Sequence, residues 1–177
     1  MLEENIVNKC IQGDRVAQER LYAFYASRTY GICLRYTNST FEAEDILQDA
    51  FIKIFSRLGS FNMEGSFDGW IKRIVVNTAI DHYNANNKKN NHLHLEILED
   101  YDIEFVPGST DLHEEDLLIM LSKLPQGYKI VFNLYAIEGF SHKEIAQMLN
   151  ISEGTSKSQL SKARKHLQSL LHLNNIA

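Results

Sequence analysis

The chain has 177 residues, 44% of them hydrophobic and 23% charged, which is typical of a globular protein with one ordinary domain or two small ones. No apolar run approaches the ~20 residues that a membrane span requires, and the acidic N-terminus lacks the basic start of a signal peptide. Neither of the two cysteines belongs to a CxxC pair, so we expect a reduced, cytoplasmic setting.

The net charge of −5 is unevenly distributed along the chain. Residues 1–90 are neutral, residues 91–116 carry nine acidic and no basic side chains, and residues 117–177 have a net charge of +4. Attraction to phosphates is therefore concentrated in the C-terminal third, whereas the acidic middle would repel DNA. We expect the chain alone to bind DNA poorly and a partner to supply much of the affinity.

Long helical periodicities and only two prolines predict an all-α fold. Four helices are expected in the first 90 residues, the last from about Phe67 through Tyr83. Apolar spacing predicts these inward positions for the second helix: Ala17, Leu21, Phe24 or Tyr25, Ile32 and Leu34.

The third helix has an apolar core face and an exposed stripe. The stripe contains Asp45, Gln48, Asp49, Ile52 and Lys53. An exposed isoleucine beside carboxylates is compatible with a docking face for a partner helix, although a solvated face would give the same pattern. Carboxylate metal centres in helical bundles need Glu-x-x-His motifs from two helices, and the sequence has none, so we expect no metal.

The fourth helix and the loop before it combine aromatic rings with cations and amides. The aromatic residues are Phe61, Phe67, Trp70 and Tyr83, and the cations and amides are Lys72, Arg73, Asn77, Asn84, Lys88 and Lys89. Rings can stack on unpaired bases, cations can hold phosphates and amides can bind base edges, so the pattern suits a single nucleic-acid strand. Aromatic core residues with a solvated charged rim are the alternative interpretation.

Residues 91–112 cannot build a core of their own, because the segment is polar and acidic. We therefore predict a flexible acidic linker between two small helical domains, residues 1–90 and 113–177. A stretch of 22 residues can extend to about 70 Å, close to two turns of B-DNA at about 34–36 Å each.

The C-terminal domain contains the pattern of a helix-turn-helix. Ser141 and Glu144 form a capping box, Asn150-Ile151-Ser152 breaks the first helix, and Ser152 can cap the second. The second helix turns Leu160, Ala163, Leu167 and Leu171 inward. Its other face carries Ser156, Lys157, Gln159, Lys162 and Lys165. The pattern indicates a major-groove reader, with an ordinary helical hairpin as the alternative.

Both halves together resemble the extracytoplasmic-function group of the sigma-70 family, which directs bacterial RNA polymerase to promoters. Segments 43–61 and 67–83 are similar to conserved region two, and segment 124–167 is similar to region four. The resemblance covers about residues 6 to 172. It implies a non-enzymatic initiation factor without cofactors. The implied partners are core RNA polymerase and promoter DNA, with an anti-sigma protein as a further candidate.

The resemblance also implies roles for individual residues. Asp45, Gln48, Asp49 and Ile52 correspond to the face that binds core polymerase. The site for the unpaired −10 element corresponds to loop 59–67 and to Phe61, Phe67, Trp70, Lys72, Arg73 and Asn77. Ser156, Lys157, Ser158, Gln159 and Lys162 correspond to the −35 contacts. Ser156 stands where the family usually has valine, which leaves the preferred −35 sequence open.

Two other classes of function remain open at this stage. One is a stand-alone helix-turn-helix regulator whose N-terminal bundle senses a ligand or dimerises. The other is an enzyme built in that bundle, which no P-loop, GxGxxG, GxSxG or HExxH pattern supports.

Overall fold

The computed structural model describes residues 4–61, 65–90 and 118–174, and all regular secondary structure in these ranges is helical. The helices are α1 (Glu4–Ile11), α2 (Arg15–Leu34), α3 (Thr40–Arg57), α4 (Phe67–Asn90), α5 (Gln126–Phe132), α6 (His142–Leu149) and α7 (Glu153–Asn174). Residues 118–122 are also helical, Leu58–Ser60 form a 3₁₀ turn after α3, and Asn133–Ile137 form a π-helical turn after α5. The predicted all-α fold is confirmed. None of the described helices combines the length and apolar character needed to cross a bilayer.

The chain divides into two compact units. The first comprises Met1–Cys33 and Phe41–His82, and the second comprises Leu34–Thr40 and Tyr83–Ala177. This division differs from the predicted limits, because a short segment of the N-terminal half packs with the C-terminal helices. The predicted linker, residues 91–112, lies outside the described residues, so the domain limits stay a prediction.

In the first unit, α2 buries one side chain per turn at strict four-residue spacing. These residues are Ala17, Leu21, Tyr25, Thr29 and Cys33. The alternative Phe24 is therefore wrong, and so are Ile32 and Leu34, which are only half-buried. The apolar core face predicted for α3 is buried, and together with the buried side of α4 it closes the core of this unit.

Asp14 fixes the start of α2 after the break at Gly13. Gly13 has φ +82°, a left-handed conformation that glycine adopts without steric cost. The Asp14 carboxylate then accepts hydrogen bonds from the backbone N–H groups of Val16 at 2.9 Å and Ala17 at 3.2 Å. Two of the free donors at the helix N-terminus are thereby satisfied, and the orientation of α2 after α1 is set locally.

In the second unit, α7 packs on the residues before and within α5. The buried cluster contains Leu121, Leu124, Ala163 and Leu167, with Met120, Tyr128, Phe132 and Ile137 against it. α4 continues seven residues beyond the predicted end at Tyr83, into a segment without apolar periodicity. The side-chain amide of Asn84 donates to the backbone carbonyl of Met148 at 2.9 Å, which supports this extension from outside the helix.

The segment Leu34–Thr40 belongs to the second unit because polar side chains of α5 bind its backbone. Lys129 is 1% exposed, and its ammonium group donates to the backbone carbonyl of Thr37 at 2.5 Å and to Asn38 Oδ1 at 2.8 Å. A buried ammonium group is tolerated only when its protons are bonded in this way.

Candidate promoter and polymerase interfaces

Three aromatic side chains meet where the loop before α4 joins its first turns. The ring centroids are 5.1 Å apart for Phe61 and Phe67, 5.4 Å for Phe61 and Trp70, and 5.7 Å for Phe67 and Trp70. All three residues are half-buried, so each ring packs on its neighbours and keeps an exposed part. The structure thus brings together three of the four aromatic residues that the sequence grouped, as a surface cluster and not as core, and Tyr83 is not among them. Residues 62–64 of the intervening loop lie outside the described residues.

A buried tyrosine of α2 supports this aromatic cluster. The hydroxyl group of Tyr25 donates a hydrogen bond to the carboxylate of Asp68, and its ring lies edge-on to Phe67 at 5.9 Å. Burial, and then the bond to Asp68, raises the pKa of Tyr25 well above its usual value, so the hydroxyl group keeps its proton. Ser66 Oγ accepts from the backbone N–H of Gly69 at 3.2 Å. The first turn of α4 is therefore held from both sides, and the rings it carries are fixed with it.

Between Ile71 and Ile80, α4 exposes only a narrow stripe. Its buried residues are Ile71, Ile74, Val75, Val76, Thr78, Ala79 and Ile80. Trp70, Arg73 and Asn77 follow each other at three- and four-residue spacing and share the open side, where Arg73 and Asn77 are exposed. Lys72 lies about 200° from Trp70 around the helix, since each residue turns about 100°, and it is half-buried there. Arg73 and Asn77 therefore lie on the same side of α4 as Trp70 of the aromatic cluster, whereas Lys72 does not.

The outward side of α3 carries the residues predicted to dock on polymerase. Asp45, Gln48 and Asp49 are exposed, and Ile52 is 67% exposed. The opposite side of the helix is buried from Ala43 through Ile54. An isoleucine this exposed buries little of its apolar surface within the described part of the chain.

The structure adds detail to both ends of this face. Phe41, at the start of α3, is 71% exposed and lies eleven residues before Ile52, which is about three turns on the same side of the helix. The carboxylate of Asp49 lies 2.7 Å from His82 Nε2 on α4. The side chain of Asp49 is still 53% exposed, so this contact orients the carboxylate without covering it.

The helix-turn-helix is formed by local capping interactions. The Ser141 hydroxyl accepts from the backbone N–H of Glu144 at 3.3 Å, and the Glu144 carboxylate accepts from the backbone N–H of Ser141 at 2.8 Å. Asn150 ends α6 in a left-handed conformation with φ +55°. The Ser152 hydroxyl accepts from the backbone N–H of Thr155 at 3.0 Å and so caps α7. The predicted capping box and turn are confirmed.

The outward face of α7 is polar and basic. Lys157, Ser158 and Lys162 are exposed, whereas Gln159 is half-buried. The ammonium group of Lys162 lies 5.8 Å from the ring centroid of Tyr128, a cation–π contact that leaves the charge at the surface. This helix can therefore present donors and positive charge to a DNA groove.

Ser156 is an exception to the predicted polar face. It is fully buried, and its hydroxyl group lies 2.9 Å from His142 Nδ1 at the start of α6. The ring of His142 stacks on Tyr135 at 4.5 Å. The prediction that Ser156 faces DNA is wrong for this conformation. Its position four residues before Leu160, on the predicted inward side, was the signal in the sequence.

Two family models match this chain. Sigma-70 region 2 matches residues 21–89, which contain the α3 face and the aromatic cluster, and sigma-70 region 4 matches residues 114–167, which contain the helix-turn-helix. The chain is 27% identical to the ECF RNA polymerase sigma-E factor of Haemophilus influenzae, over 95% of this chain and 94% of that protein. It is 29% identical to the ECF RNA polymerase sigma factor SigW of Bacillus subtilis, over 97% of each. The chain belongs to the extracytoplasmic-function group of the sigma-70 family.

Two solved structures share the fold of this sigma factor. The sigma factor RpoE in complex with the anti-sigma factor NepR from Bartonella quintana has a TM-score of 0.54 and 24% identity, over 87% of this chain and 96% of that one. CnrH in complex with the cytosolic domain of CnrY has a TM-score of 0.50 and 22% identity, over 95% of this chain and 96% of that one.

Two features of this sigma factor were not predicted. Phe41 was not assigned to the α3 face, although its spacing to Asp45 and Ile52 places it on the same side of a helix. The hydrogen bond between Tyr25 and Asp68 joins residues 43 positions apart, so no local pattern indicates it. Among the described residues, no group of three or more His, Cys, Asp or Glu side chains is placed to hold a metal ion.

Proposed function

We propose that the chain binds core RNA polymerase and directs it to promoters by recognising duplex −35 DNA and unpaired −10 DNA. The observation that carries this proposal is the combination of two different DNA-compatible surfaces in one sigma factor. One is an exposed basic helix of a helix-turn-helix, and the other is a half-exposed aromatic cluster in line with an exposed arginine and asparagine. The function places the chain in the cytoplasm, where polymerase and promoters are.

α7 would bind the major groove of the −35 element. Lys157 and Lys162 can contact phosphates, and Ser158 and Gln159 can donate to or accept from base edges. Ser156 supports the motif from inside through its contact with His142 and makes no base contact in this conformation. The −35 preference would therefore depend on positions 157 to 162.

The aromatic cluster would capture unpaired bases of the −10 element. Its three rings, Phe61, Phe67 and Trp70, offer surfaces on which bases can stack. Arg73 can bind a phosphate, and the amide of Asn77 can bind a base edge. Taking a base out of the duplex costs a few kcal/mol, and stacking of about 1–3 kcal/mol per base can offset that cost. Promoter opening would then be driven by binding energy, without covalent chemistry by the chain.

The α3 face would bind core polymerase. It combines two carboxylates, Asp45 and Asp49, with the exposed apolar side chains Ile52 and Phe41. Apolar anchors within a polar surround are typical of protein interfaces. We include Phe41 in this face because it lies on the same side of the helix.

Charge distribution supports dependence on polymerase. Residues 91–116 carry nine carboxylates between a neutral N-terminal part and a C-terminal part of net charge +4. Repulsion between this segment and DNA would weaken binding by the chain alone. An anti-sigma protein is a further partner that we propose, since the solved structures of similar fold are complexes with such proteins.

The decisive experiment is transcription from a random promoter library by core polymerase with and without the purified chain. We expect the chain to select promoters with two conserved elements about two helical turns apart. Nanomolar, sequence-specific binding to duplex DNA by the chain alone at physiological salt, without polymerase-dependent transcription, would instead favour a stand-alone regulator.

A further inference from the structure

α2 exposes an aromatic residue with a cation beside the aromatic cluster. Phe24 is 46% exposed, and the guanidinium carbon of Arg28, one turn later, lies 5.3 Å from its ring centroid. The neighbouring exposed residues Ala23 and Ser27 are small, so they leave room at the ring. Ring and guanidinium group together form the kind of surface on which an unpaired base stacks.

A buried ring connects Phe24 to the aromatic cluster. The ring of Phe24 lies edge-on to Tyr25 at 5.0 Å, and Tyr25 lies edge-on to Phe67 at 5.9 Å. Tyr25 is held by its hydrogen bond to Asp68, so Phe24 and the cluster are parts of one fixed arrangement. The rings of Phe24 and Phe67 are thus at most about 11 Å apart, which about three stacked nucleotides at ~3.4 Å each would cover.

We propose that Phe24 and Arg28 form a second stacking site for the unpaired promoter strand, one to three nucleotides from the base held at Phe61, Phe67 and Trp70. A base would take the place of the Arg28 guanidinium group on the exposed face of Phe24, and Arg28 would turn to the adjoining phosphate. This inference rests on the proposed −10 function of the aromatic cluster.

Electrostatics favour a nucleic-acid strand over a protein as the occupant. α2 contains three arginines and a single carboxylate, Glu19, whereas the exposed face of α3 is acidic. A strand of phosphates is complementary to the first surface. Phe24 is also continuous, through Tyr25, with the cluster proposed to bind the same strand.

The experiment measures coupling between single nucleotides and single side chains. Holoenzyme assembled from core polymerase and this chain is bound to a promoter with a pre-opened bubble, in which each non-template base in turn is replaced by an abasic site. A base and a side chain interact if the abasic site and the substitution together lower the affinity by less than the product of the two separate fold-losses. Trp70→Leu identifies the base held at the cluster, and Phe24→Leu is tested for coupling to a second base one to three nucleotides away.

Phe24→Leu should weaken bubble binding about five- to tenfold and lose this dependence on one base, because leucine keeps the contact with Tyr25 but cannot stack. Phe24→Trp should retain the dependence. Arg28→Gln should lower the slope of log affinity against log salt by about 0.7, the value for one phosphate of a single strand. The matched control Arg15→Gln removes an exposed arginine on the opposite side of the same helix, nine residues before Phe24, and should leave the slope unchanged.

Two outcomes would overturn the inference and are separable from failure of the proposed function. If Trp70→Leu couples to a base and Phe24→Leu couples to none, the second site does not exist and the −10 function stands. If Phe24→Leu lowers affinity for core polymerase and leaves bubble binding unchanged, the surface is a protein contact. If Trp70→Leu itself couples to no base, the proposed −10 function fails.

Discussion

Asn77→Ala should change stability and base recognition in opposite directions. Asn77 is exposed and lies in the middle of α4, away from both helix ends, so its replacement leaves no cavity. Alanine is the better helix former, and the difference at such a site is about 0.5 kcal/mol in favour of the variant. In a unit of this size that corresponds to a rise in melting temperature of about 2–4 °C. A structural role for the amide, in a cap or a bridge between helices, would lower the melting temperature instead.

The loss in recognition should be larger than the gain in stability. A side-chain amide that binds a base edge with a donor and an acceptor contributes about 1–3 kcal/mol of discrimination, or about 5- to 150-fold between bases. Promoter opening by holoenzyme, followed by fluorescence of a base analogue on templates carrying each base at each −10 position, measures this directly. We expect reduced preference at one −10 position and unchanged binding of duplex −35 DNA.

Asn87→Ala is the matched control, because Asn87 is exposed in the same helix ten residues further on. It should leave the −10 preference unchanged. The reasoning would be refuted if Asn77→Ala lowered the melting temperature and left the preference at every −10 position intact.

Three further predictions concern the α3 face, the helix-turn-helix and Tyr25. Phe41→Ala and Asp49→Lys should each weaken binding to core polymerase about tenfold or more in a titration, with little change in melting temperature, since the contact of Asp49 with His82 is exposed and contributes at most about 1 kcal/mol. Ser156→Ala should lower the free energy of unfolding by about 1 kcal/mol without changing −35 preference, whereas Lys157→Ala should weaken −35 duplex binding and reduce its salt slope by about 1. Burial, followed by the bond to a carboxylate, raises the pKa of Tyr25 above its usual 10.0, so its contribution to stability is complete below pH 10 and is lost as the pH rises through the higher folded-state pKa. Urea denaturation should therefore give a shallower loss of stability above pH 10 in Tyr25→Phe, and an identical loss would contradict this assignment.

Structural features formed by residues close in the chain could be predicted from the sequence. The capping box of Ser141 and Glu144 and the cap at Ser152 each join residues three positions apart, so the local sequence was enough to predict the helix-turn-helix. The core side of α3 and the exposed stripe opposite it followed from helical spacing alone. Family resemblance added the roles of these surfaces, which spacing does not contain.

Contacts between residues distant in the chain select which of several locally equivalent side chains is buried. Phe24 and Tyr25 are adjacent aromatic residues, and Tyr25 is the buried one, with its hydroxyl group bonded to Asp68 on another helix. A lysine such as Lys129 is expected at the surface, yet its ammonium group is buried and donates a hydrogen bond to the backbone carbonyl of Thr37, 92 residues away. In both cases the partner is remote in sequence. A buried polar group is stable only if such a partner is present, so local spacing could not predict either arrangement.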